Sequence, residues 1–325
     1  MRKEYPLVSI AMPTYNRGHN LEKFIDNIHK QSYPQNKLQI VLGDFYSEDN
    51  TYEIAKKNGC KIIQDHNPDM EYRRTLALKA CDGKYIFIAD DDNFFPNPKL
   101  IENMVNILEN NYAVATQCIW EAYDKQDYLV NRYCALIGTV DPTTFYLNMQ
   151  DHMPYNYNKW MLKGTVIEDN DLYYKVRLKP EEVPTMGDQG FLCKKEDLMK
   201  CEKNGIVFHM DICKKLSEEG EQEFAFMKDY FGHMHVQNTK QLMKKLKRNI
   251  DRYNVDGQER AMNYNMSLGK MIKLGLVMGT FVIPFIDSII GFLRIHDIAW
   301  FVHPIICFRV ALMYTGSTIK SLLKK

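Results

Sequence analysis

Short apolar runs alternate with helix-periodic stretches over residues 1–110. Four runs predict strands, at Leu7–Met12, Leu38–Leu42, Lys61–Gln64 and Tyr85–Ile88. Apolar spacing and capping residues predict helices between them, at about Asn20–Gln31, Thr51–Asn58 and Tyr72–Cys81. Strands that alternate with helices favour an α/β fold with a parallel sheet and right-handed crossovers.

Polar residues follow three of these predicted strands at the point where each strand ends. Residues 14–17 follow the first strand, Asp44 follows the second, and Asp90–Asp92 follow the fourth. Ligands of open α/β sheets bind beyond the carboxyl ends of the strands. We therefore predict a binding site at this edge of the sheet.

The acidic run Asp90-Asp91-Asp92 predicts a cation site. Adjacent carboxylates repel one another and resist burial, so a nearby positive charge is expected to neutralise them. A hard divalent ion such as Mg²⁺ or Mn²⁺ prefers carboxylate oxygens and also holds phosphates. The alternative is a solvated acidic turn, because Asp and Asn are common in loops.

Composition and motifs exclude several other classes. The chain has 325 residues, 45% of them apolar, and a net charge of +1, so no overall field favours nucleic acid. Its eight cysteines form no Cys-x-x-Cys pair, which disfavours zinc, and their spacing favours a reducing compartment. Neither a Gly-x-Gly-x-x-Gly fingerprint nor a P-loop motif is present.

The order and spacing of these segments resemble family 2 glycosyltransferases with the GT-A fold. The resemblance covers residues 1–110. The segments that carry it are Val8–Arg17, Gly43-Asp44, Ser47–Thr51, Arg74 and Asp82–Asp92.

The resemblance implies a nucleotide-diphospho-sugar donor, a divalent metal (Mn²⁺ or Mg²⁺) and inverting transfer of the sugar to a hydroxyl. It implies that the donor contacts Pro13, Thr14, Tyr15, Asn16, Arg17, Asp44, Arg74, Asp90 and Asp91. Asp44 would contact the base, Asp90 the ribose, and Arg74 the base and diphosphate. Asp92, with Asp90, would hold the metal.

The second strand departs from the family pattern. Asp44 is followed by Phe45-Tyr46, where the family usually has a second acid. A UDP-sugar is therefore only the default donor. Arg73 is an alternative to Arg74 as the arginine that contacts the base and diphosphate. Asp44 could instead only cap a turn or a helix.

The middle of the chain is expected to bind the acceptor and supply the base. Asp188 lies between Gly187 and Gly190, and the resemblance assigns it the role of accepting the acceptor's hydroxyl proton. Glu181 and Glu182 are the alternative candidates for this base. His233 and His235 sit two apart on an extended segment, and we favour His235 as the further metal ligand.

The C-terminal residues favour a membrane surface. Lys240–Arg252 is basic, with apolar residues at helical spacing, which suits an anionic surface. Leu274–Leu293 and Ile298–Phe308 are apolar, but the first contains Pro284 and the second is short. Two interfacial or re-entrant helices fit these runs best. A helical hairpin buried against the catalytic domain is the alternative.

The combined hypothesis is a GT-A catalytic domain over residues 1–238, followed by membrane-associating helices over residues 239–325. Residues 1–110 would bind the donor and residues 111–238 the acceptor. We expect a peripheral or monotopic enzyme on the cytoplasmic face of a membrane, acting on a glycan or lipid-linked saccharide. The alternatives are a polyprenyl-phosphate glycosyltransferase and a non-catalytic nucleotide-sugar-binding protein.

Overall fold

The structure is a computed structural model that describes residues 4–187, 189–256 and 268–322. The strands are β1 (Val8–Thr14), β2 (Leu38–Asp44), β3 (Lys61–Gln64), β4 (Tyr85–Ile88), β5 (Asn93–Phe94), β6 (Ala115–Ala122), β7 (Thr165–Asp169), β8 (Tyr173–Arg177), β9 (Phe191–Lys194) and β10 (Glu223–His233). The helices are α1 (Gly18–His29), α2 (Thr51–Lys57), α3 (Met70–Ala80), α4 (Leu100–Glu109), α5 (Leu129–Ile137), α6 (Pro142–Leu147), α7 (Lys195–Lys200), α8 (Ile212–Glu218), α9 (Thr239–Asp256), α10 (Leu268–Gly279), α11 (Val282–Ile295) and α12 (His303–Leu322). Short 3₁₀ helices lie at Gln35–Lys37, His209–Asp211 and Ile298–Val302.

The ten strands of the described residues form one sheet. Its order is β3-β2-β1-β4-β9-β6-β10-β8-β7, and β5 pairs with β10 outside this path. β1 pairs in parallel with β2 and β4, and β2 pairs in parallel with β3. β9 is antiparallel to β4 and β6, while β8 is antiparallel to β7 and β10. The α/β fold is therefore as predicted, and its parallel pairs join the four strands that the apolar pattern located.

Burial explains the regular elements near the amino end. All seven residues of β1 are buried, as expected for a central parallel strand. Helix α1 buries Leu21, Phe24, Ile25 and Ile28, which recur with the helical period. Helix α3 begins at Met70 because the Asp69 carboxylate caps it, accepting hydrogen bonds from the backbone of Glu71 and Tyr72.

A close approach of β2 to α3 fixes the height of that helix over the sheet. A Cβ atom added to Gly43 would lie 2.2 Å from the carbonyl oxygen of Arg73. Only glycine leaves room for this approach. The result is that the arginines of α3 lie near the carboxyl ends of the strands.

The chain divides into two compact units. The first comprises residues 1–119 and 164–233, and the second comprises residues 120–163 and 234–325. The C-terminal change between the units lies after residue 233, and the division after residue 238 stays a prediction. Residues 120–163, which the sequence analysis places in the acceptor half, fall in the same compact unit as the C-terminal helices, and their role in acceptor binding stays a prediction.

The second unit has its own apolar core, built from both of its chain segments. Trp300 and Cys307 of the C-terminal segment pack there with Tyr133 and Leu136 of α5. Leu242 and Leu246, from the apolar stripe of α9, are buried in the same core, and Ile250 of that stripe is also buried. The side of α9 that remains exposed is therefore its lysine-rich face, and its apolar stripe does not face outwards.

Two segments of the second unit have the length and composition of a membrane span. Within the described residues, Ile298–Ser317 passes this criterion alone, although 39% of it is buried inside the protein. The pair Gly269–Gly279 and Val282–Ile295 passes as a single segment, but it is bent by 61°.

Candidate active site

The strand register brings the predicted donor-binding segments to one edge of the sheet. Thr14 lies opposite Asp44, and Asp44 lies opposite Gln64, at the ends of β1, β2 and β3. Ala11 lies opposite Ile88, so the acidic triplet leaves β4 at the same edge. This juxtaposition is the one that the strand-end pattern predicted.

Asp90 is paired with the arginine that the resemblance singled out. Nη2 of Arg74 lies 3.0 Å from Oδ1 of Asp90, and the Arg74 side chain is only 1% exposed. The backbone N–H of Asp90 donates to the Asn93 side chain, which fixes the turn after β4. Arg73 takes a different place, over the ring of Phe45 at 4.9 Å. The two neighbouring arginines thus serve different contacts, and Arg74 is the one at the triplet.

Asp91 is the most buried carboxylate of the triplet. Its Oδ1 lies 3.3 Å from Nε of Arg17, and its Oδ2 accepts a hydrogen bond from Thr14 at 3.4 Å. Burial raises the pKa of Asp91 to about 7, although the Arg17 guanidinium opposes this rise; the carboxylates of Asp92 and Asp90 add to it. Asp91 is therefore directed inwards, where it helps to hold the loop after β1.

Asp92 faces a histidine on one side and Arg17 on the other. Its Oδ1 lies 3.1 Å from Nε2 of His233, and its Oδ2 lies 3.8 Å from Nη2 of Arg17. His233 is the last residue of β10 and is buried. The histidine beside the triplet is thus His233, the one that we ranked second.

His235 lies in different surroundings. Its Nε2 is 2.7 Å from Oε1 of the buried Glu121, and its backbone N–H donates to Asn131. We compared the two histidines on the assumption that both lie on one extended segment. Strand β10 ends at His233, so His235 lies beyond it. A metal-ligand role for His235 stays a prediction, and the geometry favours His233 in its place.

The loop after β1 is tied to the loop after β2. The Asn16 side chain accepts hydrogen bonds from the backbone of Glu48 and Asp49, and the Asn16 backbone N–H donates to the Ser47 hydroxyl. The backbone N–H of Arg17 donates to the Thr51 hydroxyl at 2.8 Å. Asn16 adopts a φ of 52°, a left-handed conformation that Asn tolerates well. These bonds hold the Arg17 backbone in place while its side chain remains 49% exposed.

Asp44 is buried and fully engaged by protein donors. Its carboxylate accepts hydrogen bonds from the Ser47 hydroxyl at 2.5 Å, the Ser47 backbone at 3.0 Å and the Gln64 amide at 3.0 Å. Its observed contacts therefore order the turn after β2. The contact with a base that the resemblance implies stays a prediction.

Aromatic side chains line the same turn. Tyr15 packs edge-on against Phe45, with ring centroids 5.1 Å apart. Tyr46 stacks on His66, with centroids 3.9 Å apart and an interplanar angle of 13°. Tyr15 and Tyr46 are exposed, so flat apolar faces border the carboxyl ends of β1 and β2.

Asp188, the predicted base, lies outside the described residues. Its neighbours are described: the Gly187 N–H donates to the Gln117 side chain, and the Gly190 N–H donates to the Ile88 carbonyl at the end of β4. Gly187 and Gly190 both have positive φ values, of 111° and 80°. Both glycines thus adopt conformations that favour glycine, and Gly190 lies beside the end of β4, just before the acidic triplet.

Sequence reasoning missed a largely buried acid–base pair between α3 and the 3₁₀ helix His209–Asp211. Nδ1 of His209 lies 2.7 Å from Oε1 of Glu71 on α3. The two residues are 138 positions apart, and no local pattern links them. A Cβ on Gly187 would lie 2.3 Å from the His209 carbonyl oxygen, so His209 also packs against the glycine turn.

The donor set fits a divalent ion that is completed by phosphate. The described residues hold no group of three or more His, Cys, Asp or Glu side chains placed to form a full metal cage. Mg²⁺ is usually held by only one or two carboxylates together with substrate phosphates. The Asp92 carboxylate and the adjacent His233 imidazole supply an oxygen and a nitrogen donor, a set that Mn²⁺ accepts.

Comparison with known proteins identifies the family. The profile described as "Glycosyl transferase family 2" matches residues 9–172, which is half of the chain. The chain belongs to glycosyltransferase family 2. Two curated relatives of this family 2 chain are similar over part of its length. Poly(ribitol-phosphate) beta-N-acetylglucosaminyltransferase TarS of Staphylococcus aureus (strain MW2) is 23% identical over 57% of this chain and 32% of its own. An uncharacterized glycosyltransferase of Rickettsia prowazekii (strain Madrid E) is 31% identical over 40% of each chain. The chain thus spans well under two thirds of either relative.

A solved structure supports the fold over almost the whole chain. The mannosyltransferase PcManGT from Pyrobaculum calidifontis, solved in complex with GDP-Man and Mn²⁺, aligns with a TM-score of 0.56. The alignment covers 95% of this chain and 87% of that one, at 14% identity. At this identity the likeness speaks for the GT-A fold alone.

Proposed function

We propose that this family 2 chain is a metal-dependent inverting glycosyltransferase. It moves a sugar from a nucleotide-diphospho-sugar to a hydroxyl of a glycan or lipid-linked saccharide in the synthesis of a cell-surface glycoconjugate. The observation that carries the proposal is the acidic triplet at the end of β4. One of its carboxylates is paired with Arg74, one with Arg17 and one with His233.

In this proposal the charges of the site divide between the metal and the donor. Asp92 and His233 would hold the ion, which when bound supplies positive charge for the departing diphosphate. Arg17 is partly exposed, so its guanidinium is available to phosphate oxygens. Asp90 is held by Arg74, which fixes its carboxylate to receive a hydroxyl such as that of a ribose.

The nucleobase would lie against the exposed aromatic residues after β1 and β2. Tyr15 and Tyr46 offer the flat faces, and Asp44 keeps the turn between them in shape. A UDP-sugar remains the default donor, because no second acid follows Asp44 to indicate another base.

The acceptor hydroxyl needs a base, and we assign that role to Asp188. Its carboxylate would take the hydroxyl proton as the oxygen attacks the anomeric carbon. A polyprenyl-phosphate acceptor is already ionised at neutral pH and needs no such base. An Asp188→Asn variant that loses about a hundredfold or more in kcat supports a hydroxyl acceptor, and full activity supports a phosphate acceptor.

Ligand-dependent stability tests the donor site directly. Thermal unfolding of wild type, Asp92→Ala and Asp26→Ala is measured with each nucleoside diphosphate, with and without Mn²⁺. Asp26 is exposed on α1 and serves as the matched control. Ligand at about a hundred times its Kd adds about 2.7 kcal/mol of stability. We expect one nucleotide series to stabilise wild type and Asp26→Ala only with Mn²⁺, and to leave Asp92→Ala unchanged. Stabilisation by none of them overturns the proposal in favour of a non-catalytic domain.

The proposed location is the cytoplasmic face of a membrane. Two observations support it. All eight cysteines are free thiols, as is usual in a reducing compartment. The C-terminal helices also expose apolar surface.

A further inference from the structure

Helix α11 is apolar on the outside and small or polar on the inside. Its buried residues are Pro284, Ser288 and Gly291, which share one face. Its exposed residues include Val282 at 61% and Leu293 at 65%. An ordinary surface helix of a globular protein has the opposite arrangement, with its large apolar side chains inside.

Close packing on Trp300 fixes this orientation. A Cβ on Gly291 would lie 2.2 Å from Cδ2 of Trp300, so the indole ring lies directly on the helix backbone. The Ser288 hydroxyl donates to the Trp300 carbonyl at 2.8 Å. The small residues are what permit this contact, and α11 cannot rotate to bury its isoleucines without losing it.

The exposed apolar surface extends beyond α11. Large apolar side chains are exposed on α10, at the break between α10 and α11, along α11, in the following 3₁₀ helix and on α12. They are Met271, Ile272, Leu276, Phe281, Val282, Ile283, Phe285, Ile286, Ile289, Ile290, Leu293, Ile298, Phe301, Ile305 and Leu312. We call this set the apolar face. Soluble monomers rarely expose contiguous apolar patches beyond a few hundred Å².

Charges in the same helices indicate what covers the apolar face. Basic side chains are exposed on α9 and on the helices that carry the apolar face, at Lys240, Lys244, Lys270, Lys273, Arg294 and Arg309. The acids described on these helices have protein partners: Asp287 accepts from Tyr146, Asp297 is buried against Arg132, and Asp251 is exposed but paired with Lys247. Basic side chains around an apolar face match the acyl layer and headgroups of an anionic leaflet. A second copy would bring the same positive charges together.

The geometry of the helices is that of insertion into one leaflet. Helix α11 has 14 residues, about 21 Å, which is shorter than the ~30 Å hydrocarbon core. The bend of 61° at Phe281 prevents α10 and α11 from acting as one straight span. Helix α12 is fastened to protein along its length, by His303 to the Tyr133 hydroxyl and by Tyr314 to Asp141.

We propose that the apolar face is a monotopic docking surface for an anionic lipid bilayer. Helix α11 and the break before it enter the acyl region of one leaflet, and the lysines of α9 and α10 contact the headgroups. The proposal does not depend on sugar transfer, because its tests need neither donor nor acceptor.

Vesicle co-flotation of the full chain tests the surface. The probes are vesicles of phosphatidylcholine alone and of phosphatidylcholine mixed with phosphatidylglycerol. The test variant is Ile286→Ser/Ile290→Ser/Leu293→Ser on α11. The control variant, Val166→Ser/Ile167→Ser/Leu172→Ser, removes three exposed aliphatic side chains around β7 and β8. Because all six side chains are exposed, both variants are expected to keep the wild-type circular dichroism spectrum and Tm.

We expect binding to mixed vesicles, a loss of at least about a hundredfold in the α11 variant and no change in the control. Replacing Lys244, Lys270 and Lys273 with Gln is expected to lower binding to mixed vesicles by about fivefold for each lysine, and to leave the weaker binding to phosphatidylcholine unchanged. Equal flotation of the α11 variant and wild type overturns the proposal. So does a dimer in analytical ultracentrifugation that dissociates only in the α11 variant.

The depth to which α11 enters the bilayer distinguishes insertion into one leaflet from a helix that crosses the membrane. Phe285→Trp is bound to vesicles whose lipids carry bromine either near the headgroup or near the bilayer centre. Quenching in excess of wild type is expected to be stronger with bromine near the headgroup. Stronger quenching at the bilayer centre contradicts insertion into one leaflet.

Discussion

Nε2 of His233 lies 3.1 Å from Oδ1 of Asp92, and it joins the end of β10 to the turn after β4. His233 also lies opposite Asn93 in the pairing of β10 with β5, so the backbone holds the imidazole in register with the acidic triplet. A rigid strand positions a ligand more precisely than a loop does.

His233→Gln is expected to weaken Mn²⁺ binding by about ten- to a hundredfold, because the site loses its imidazole donor. Calorimetric titration of Mn²⁺ in the presence of a nucleoside diphosphate measures the change. His235→Gln is the paired variant, and we expect its Mn²⁺ affinity to stay at the wild-type value. A loss in His235→Gln with none in His233→Gln would reverse the assignment.

Arg17 is expected to affect metal and nucleotide binding in opposite directions. Its guanidinium contacts Asp91 and Asp92, so Arg17→Ala removes a cation that competes with Mn²⁺ for Asp92. Mn²⁺ binding without nucleotide should tighten by up to about fivefold, the value of a partly exposed ion pair. Binding of the diphosphate with Mn²⁺ should weaken, because a phosphate-binding group is lost. The control is Arg177→Ala, a similarly exposed arginine that is paired with Glu223. If Arg17→Ala changes both affinities in the same direction, the competition is absent.

Asp44→Ala is expected to lower the free energy of unfolding by about 3 kcal/mol, because it leaves three hydrogen-bond donors without their charged acceptor. Urea unfolding of wild type, Asp44→Asn and Asp44→Ala measures the loss, and Asn should retain part of the network. An Asp44→Ala protein of unchanged stability that no longer binds nucleotide would show instead that Asp44 acts on the base directly.

The cysteines are expected to react slowly with alkylating agents in the folded protein. Seven of the eight are buried, and burial raises the pKa of the partly exposed Cys60 to about 11. The thiolate is the reactive form, so iodoacetamide should modify Cys60 at pH 7.5 roughly a hundredfold more slowly than a free thiol. Because the pKa is raised, the rate should increase steadily as the pH rises towards 11. Mass spectrometry with and without urea measures the rates, and rapid labelling of folded protein at pH 7.5 would refute this assignment.

Local patterns were sufficient to locate β1–β4 and the triplet, because a buried strand and the polar residues that follow it are adjacent in the chain. Asp90 and Asp92 were found in this way. The hydrogen bond between Asp44 and Gln64 could not be predicted from the local pattern, because Gln64 lies at the end of another strand. The choice between His233 and His235 depended on where β10 ends, which the extended pattern did not specify.

Pairs that are distant in the chain could not be predicted from spacing. Glu71 meets His209, and Tyr133 meets His303 across 170 residues. Helix α9 illustrates a second limit. Its apolar spacing indicates an amphipathic helix correctly, but the pattern is the same whether the stripe meets lipid or a protein core.

The shared core of the second unit has a consequence for synthesis on the ribosome. Residues 120–163 emerge early, but Tyr133, Tyr146 and Asp141 receive their partners from α11 and α12, near the other end of the chain. Translation proceeds at about 5–20 residues per second, so this segment waits roughly 6 to 30 seconds for its partners. The segment 120–163 therefore cannot complete its core until α11 and α12 have been synthesised.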